Sequence, residues 1–441
     1  MNGGYKQPLF NILHMKNIRK FETTAEMDST VLEDVSVSYN VETDVVLSMP
    51  LNPKTIDYST MYTTFEALED GTFSFNKKGT GDNIQYSKDN GTTWTPLASG
   101  ETVSVVTGDK VMWKSTITPS GSGFNAGIGR FKSSNNFKAH GNVMSLLYGD
   151  NFTEQTSLVS KFYAFFYLFA GCTKMIDASN LILPATNLSN KCYYYMFGGC
   201  KSLTAAPELP ATTLGTYCYH QMFWGCSGLT TAPELPATTL RDYCYQSMFS
   251  GCTSLTTAPE LPATTLADYC YETMFSGCKS LTTAPELPAT TLESHCYSGM
   301  FAACTSLTTA PELYATTLAN DCYYQMFYGS KSLTAAPELP ATTLCDYCYR
   351  EMFSGCTSLT TAPELPATTL RDYCYQSMFS GCASLKQITM LATDISASSC
   401  LNNWVDGVSS TGTFVKHPDM TSLPTGSSGI PSNWTVEDAV L

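Results

Sequence analysis

Charge is scarce in this sequence. Lys, Arg, Asp and Glu make up 14% of its 441 residues, against about a quarter in ordinary soluble domains. Cations are the scarcer sign, 24 against 38 acids, which leaves a formal net charge of −14. Nucleic-acid binding needs clustered Lys and Arg, and an anionic bilayer needs a basic patch, so neither partner is expected. Histidine is rarer still: His14, His140, His220, His295 and His417 lie scattered. No HExxH, GxSxG or phosphate-loop motif occurs. These gaps predict no catalytic set, no cofactor and no metal. Long apolar runs are also missing. The most apolar stretch, Phe162 to Gly171, has ten residues, whereas a bilayer span needs about twenty. Residues 1–20 mix Asn, Gln, His and Lys among the apolar ones, so no signal-peptide core is expected.

What is abundant is repetition. A 26-residue unit, LTTAPELPATTLRDYCYQSMFSGCTS from Leu229, returns at Leu255, Leu281, Leu307, Leu333 and Leu359. A fixed period of this length marks a solenoid, in which each unit contacts its neighbours. Solenoids offer long surfaces, so function is sought first in binding.

The 18 cysteines follow the same period. One column runs from Cys192 to Cys400 in steps of 26, and a second follows eight residues behind. Ser330 fills the one gap in the second column, and Cys172 and Cys345 sit outside both. A bridging rule obeyed by every unit would not tolerate that gap, so buried free thiols are expected.

Within a unit, Leu214, Cys218, Met222 and Cys226 are spaced by four, which predicts one face of a short helix. Leu203 and Leu209 lie in the opposing strand or extended turn. Helices stacked about 8–10 Å apart would hold the cysteine columns beyond disulfide range and force curvature. Pro207 and Pro210 recur in most units and predict a short or irregular sheet there, because proline donates nothing to a ladder.

The rest of the chain divides around this array. Residues 1–60 contain FNILHMKNIRKF and an alternating run from Val31, and suggest a docking arm or small β unit. Residues 61–150 read as all-β, with GTFSFN, NIQYS, ETVSVV and KVMWKSTI split by turns. Their hairpin, Ser87 to Trp94, matches the S-x-D-x-G-x-T-W Asp-box of sialidase-type propellers, a turn device that occurs here once. Residues 151–410 form the array and 411–441 a cap with closing strands and Trp434 as an anchor. The predicted fold class is thus a leucine-rich-repeat-like solenoid of 26-residue units, each a short strand or turn plus a short helix, preceded by a small all-β domain.

The pattern L-x-x-A-P-x-L-P-A-T-x-L, then C-Y-x-x-M-F-x-x-C, resembles the BspA-like leucine-rich repeats of gut Bacteroidetes and their bacteriophages. Met248 to Cys252 carry the unit's closing Met-Phe-Ser-Gly-Cys. The resemblance spans residues 150–435 and implies a curved solenoid with an adhesin-like role. Unlike ordinary leucine-rich repeats, the unit has no Asn ladder.

Glu208, Glu234, Glu260, Glu286, Glu312, Glu338 and Glu364 put one acid in each unit. Stacked like charges predict a solvated edge, with calcium as the alternative. Variable positions on the constant frame are either drift on a solvated surface or a recognition face, and as the candidate binding surface they are Trp224, Tyr328, His220, Arg241, Arg350 and Arg371. Exposed aromatics among them suit a host cell-surface glycan or protein. The sequence-level expectation is a non-enzymatic recognition component of a phage virion. It would be held to virion neighbours, or to copies of itself, through the N-terminal part. A secreted or surface bacterial adhesin is the alternative, and a glycan-active enzyme accessory protein the next.

Overall fold

The strands of the N-terminal region form where β-rich runs alternate between turn residues. The computed structural model describes residues 56–121 and 125–440. The expected docking arm lies, but for its last few residues, outside them. The strands are β1 (Thr63–Ala67), β2 (Gly71–Lys77), β3 (Ile84–Ser87), β4 (Thr95–Leu97), β5 (Thr102–Val105), β6 (Lys110–Lys114), β7 (Gly129–Ser133) and β8 (Phe137–Asn142). The array and tail add β9 (Ser157–Leu158), β10 (Met175–Ile182), β11 (Asn187–Leu188), β12 (Thr361–Leu365), β13 (Gln387–Met390), β14 (Thr413–Lys416) and β15 (Thr435–Asp438).

One sheet has the order β10-β8-β1-β6-β3-β4 and another the order β5-β2-β7. Phe65 packs between them, 5.3 Å from Phe73 and 4.7 Å from Phe131 by ring centroid. Because β10 pairs in parallel with β8, the sheet runs directly into the array. From Tyr58 on the chain forms a single compact unit, and one apolar core extends from Phe65 to Trp434. β7 acts as a rung before the first: its Phe131 N–H donates to Leu168 O at 2.9 Å.

Each rung has an extended side and a turn side. The extended side makes single parallel bridges, such as Thr231 to Thr257, Thr257 to Thr283 and Thr283 to Thr309. The prolines of the TTAPELP segment confine the ladder to these points. Where LKQITML replaces that segment, the sheet lengthens into β12-β13-β14-β15, with four residues of β13 in register on β14. The closing strands and the Trp434 anchor suggested by the tail are present; Trp434 Nε1 donates to Ser409 O at 2.7 Å.

The turn side corrects the expected helix. Positive φ angles of 61°, 59° and 52° at Tyr217, Tyr219 and Gln221, with Gly225 at 68°, exclude one. The backbone is a run of overlapping turns. Cys218, His220, Met222, Trp224 and Cys226 each donate their N–H three residues back. The N–H groups between them at Tyr217, Gln221, Phe223 and Gly225 point to the next rung, meeting Asp242, Gln246, Met248 and Ser250 carbonyls at 2.8–3.0 Å. Burial in this ribbon returns every four residues, at Cys218, Met222 and Cys226, which is why its sequence imitates a helix. A left-handed non-glycine residue costs about 1–2 kcal/mol. The inter-rung bonds and stacked rings offset that cost.

The ribbon also changes the spacing. Phe223 and Phe249 rings stack at 5.6 Å, and Tyr217 and Tyr243 at 4.3 Å. Rungs therefore repeat at the strand spacing of about 4.8 Å, not that of packed helices. The wide side expected to force curvature is absent. Spacing alone also fails to separate the cysteines. All eighteen are nevertheless free thiols. In the second column each is directed at a carbonyl of the rung before: Cys226 donates to Phe197 O at 3.1 Å and Cys252 to Phe223 O at 3.2 Å.

One peptide column has two settings. Tyr193, Tyr219 and Tyr245 have φ of 59–61°, and the N–H of Tyr219 and of Tyr245 points back, to Cys192 O and Cys218 O at 3.3 Å. Tyr271 through Tyr375 point theirs forward; Tyr271 reaches Cys296 O at 3.1 Å. Planarity of the peptide turns the Cys244 and Cys270 carbonyls toward each other where the settings meet. Among the described residues no donor reaches either.

Candidate functional site

The variable positions fall on the outer face of the turn ribbon, where side chains leave the rung without entering the core. Trp224 and Tyr328 are 42% and 44% exposed. They occupy one column, but 328 − 224 is four units of 26, which places them roughly 20 Å apart at about 4.8 Å per rung. Arg241 is exposed. Arg371 pairs with Asp346 at 3.6 Å and Arg350 with Glu351 at 3.2 Å. The Arg350 guanidinium also lies 5.3 Å from the Tyr324 ring centroid.

His220 is placed differently from its neighbours. It is only 7% exposed and stacks on Tyr194 at 4.3 Å. Burial pushes its imidazole down to about 4, and Nδ1 has no partner among the described residues. It packs the wall and presents no face to solvent.

Around Trp224 the structure assembles a site that the sequence did not disclose. A shallow cleft of about 560 Å³ is lined by Arg130, Tyr167, Tyr195, Gln221 and Trp224 over a floor of Ala170, Gly171, Gly198 and Gly199. The Arg130 guanidinium lies 4.3 Å from the Tyr167 ring centroid. Tyr167 stacks on Tyr195 at 4.6 Å, and Tyr195 meets Trp224 at 6.0 Å with the planes splayed by 29°. Gly198 is required by close approach, since a Cβ there would come within 2.3 Å of the Tyr195 ring. Tyr167 escaped the sequence reading because its rung is irregular: Phe169 to Phe197 spans 28 residues, not 26. Arg130 escaped it because β7 carries no repeat signature.

A second cleft, about 540 Å³, is lined by Pro311, Glu312, Tyr314, Pro337, Glu338 and Pro340 among others. Tyr314 stands where other units have proline, and its hydroxyl donates to Glu312 at 2.6 Å. Glu312 and Glu338 belong to the acidic column, all seven members of which are exposed. The two acids stand on successive rungs, and both line the cleft. Among the described residues no group of three or more metal-ligating side chains occurs.

The Asp-box hairpin is spent on its own turn. Asp89 accepts from Thr93 N at 2.9 Å, from Thr93 Oγ1 at 2.6 Å and from Ser87 Oγ at 2.7 Å. Those bonds, the Thr93 hydroxyl first, hold its carboxyl down at about 2. Ser87 Oγ in turn accepts from Gly91 N at 2.9 Å.

Among the described residues no helix is long and apolar enough to cross a membrane. No curated protein matches the chain. The BspA type leucine rich repeat region matches it in six copies, over residues 166–308, 238–334 and 271–404. That range, 166–404, is more than half of the chain, and it coincides with the rungs of Leu, Cys, Tyr, Met and Phe. The chain belongs to the BspA-type leucine-rich-repeat family.

Proposed function

We propose that this chain is a non-enzymatic recognition protein that presents the outer face of its turn ribbon to a partner on a cell surface. The observation that carries this reading is the contrast between that face and the core. The core columns barely change from unit to unit, while the ribbon's outer positions hold Trp224, Ser250, Ser276, Ala302 and Tyr328 in turn. A rigid frame with variable, partly aromatic outer positions is what recognition needs. The family supports an adhesin-like role. Purified full-length chain should bind host cells saturably. Turnover of mucin-type or sialylated glycans above background would overturn the reading.

For its location, the proposal is a virion component of a phage of gut Bacteroidetes, held through its N-terminal part, with the array toward the host. The resemblance of the repeat to proteins of such phages supports this. Surface display on the bacterium itself is the competing location. Mass spectrometry of purified particles against outer-membrane fractions separates them, and recovery from cell surfaces alone would overturn the virion location.

A further inference from the structure

We infer that the cleft before Trp224 is a carbohydrate subsite that takes a single pyranose ring of a glycan. The inference deepens the recognition reading and rests on it.

The chemistry of the cleft points to sugar. Its wall is aromatic: Tyr167, Tyr195 and Trp224 rise from three successive rungs. Tyr167 and Tyr195 are close-stacked at 4.6 Å, but Tyr195 and Trp224 open to 6.0 Å and 29°. This splayed wedge leaves ring surface uncovered, and Trp224 is 42% exposed. The C–H face of a pyranose lies flat against such surface and is desolvated by it. The floor has almost no side chains, because Ala170, Gly171, Gly198 and Gly199 supply it. A flat ring can therefore reach the wall's base, where a larger residue would block it. Gln221 at one side and Arg130 at the other bring amide and guanidinium groups to the rim, suited to hydroxyl oxygens.

Other occupants fit less well. A protein hot spot needs an apolar pocket that buries an anchor, and this floor is bare backbone. An anionic polymer needs a run of cations, and among the described residues Arg130 is the one charged residue lining the cleft. Tyr328 supplies an internal contrast. It is equally exposed in the same column, but no other ring stacks on it among the described residues.

The test uses full-length protein on an array of immobilised glycans, followed by titration of the glycans retained. Wild-type chain should bind a subset that share a terminal or internal pyranose. Trp224→Ala should weaken those glycans by about tenfold, the loss of one ring contact, and Trp224→Phe should recover part of it. Gln221→Ser should also weaken binding, and it is compatible with the fold because Ser247 occupies the same position one rung later. Tyr314→Pro, which restores the residue that other units carry on the extended side of the rung, should bind as wild type. Urea midpoints of each variant report folding independently. Equal binding by wild type, Trp224→Ala and Gln221→Ser would overturn the site. Folded protein that binds host cells but no glycan would overturn the sugar inference and leave the recognition reading standing. Folded protein that binds neither would overturn both.

Discussion

The hydroxyl of Ser330 donates to the carbonyl of Phe301 at 2.8 Å. In the flanking units Cys304 donates its thiol to Phe275 O and Cys356 to Phe327 O, each at 3.1 Å. Serine thus replaces cysteine without loss of the bond. The column is defined by a small side chain with one donor, not by sulfur chemistry.

Substitutions at this position should follow from the bond. Ser330→Cys should change stability little. Ser330→Ala removes one of two bonds to the Phe301 carbonyl, which keeps the Cys304 N–H at 3.2 Å, and should cost about 0.5–1.5 kcal/mol. Urea unfolding of the two variants beside wild type measures both. Equal stability of the two would refute the donor role.

The thiols should titrate as free. Maleimide labelling of denatured, unreduced protein should modify nearly all eighteen cysteines. In the native state Cys345 should react first, since it alone is not fully buried. The other thiols are inert by burial, which pushes groups such as Cys192 and Cys226 up to about 12. Modification of only one or two cysteines after denaturation would mean a bridged ladder.

His220 should make the protein sensitive to acid. Its folded value of about 4 lies below the usual value of about 6.5 in an unfolded chain. Between these values the unfolded state binds a proton that the folded state refuses. Stability therefore falls as pH drops from about 6.5 toward 4, by about 3 kcal/mol in total. His220→Gln, which restores the residue found at Gln246 and Gln376, should remove that part of the slope. Denaturation midpoints of both proteins at pH 7 and pH 4.5 give the difference. The same pH dependence in each would exclude His220 as its source.

Whole units should be separable. Removal of residues 281–306 deletes one period and leaves the flanking ribbons and bridges in register, because each rung bonds only to its neighbours. The shortened chain should fold cooperatively with a smaller urea m-value. Loss of the native circular dichroism spectrum would contradict nearest-neighbour stacking.

The core was legible in the sequence because packing imposes a strict period: Leu203, Cys218, Met222 and Phe223 are all fully buried, as their constancy implied. The ribbon was not, because its four-residue return of buried positions lies close to the helical period. Nothing in Tyr217 or Gln221 announces a left-handed backbone. Of the two arguments for free thiols, the gap at Ser330 stands, and the helical spacing does not, since rungs sit closer than helices would. His220 looked like a surface variable, yet the ring of Tyr194 in the preceding rung covers it. The Trp224 cleft depends on Arg130 and Tyr167, residues brought in by the β region and an irregular first rung, where no repeat comparison could reach them.

Residues 230–252 and 360–382 have one sequence, yet Tyr245 has a φ of 61° and Tyr375 lies outside the left-handed region. Their N–H groups point in opposite directions. Amino-acid identity therefore does not choose the orientation; the adjoining rung does. The column behaves as a row of coupled dipoles in two blocks of opposite polarity, and the Cys244 and Cys270 carbonyls mark the boundary. Moving that boundary by one rung breaks one inter-rung bond, makes another and takes one tyrosine into or out of the left-handed region, a difference of about 1–2 kcal/mol for each step of the boundary. Its cost is incurred once, whatever the number of rungs. An array that lengthens by copying units extends one block or the other and needs no second boundary.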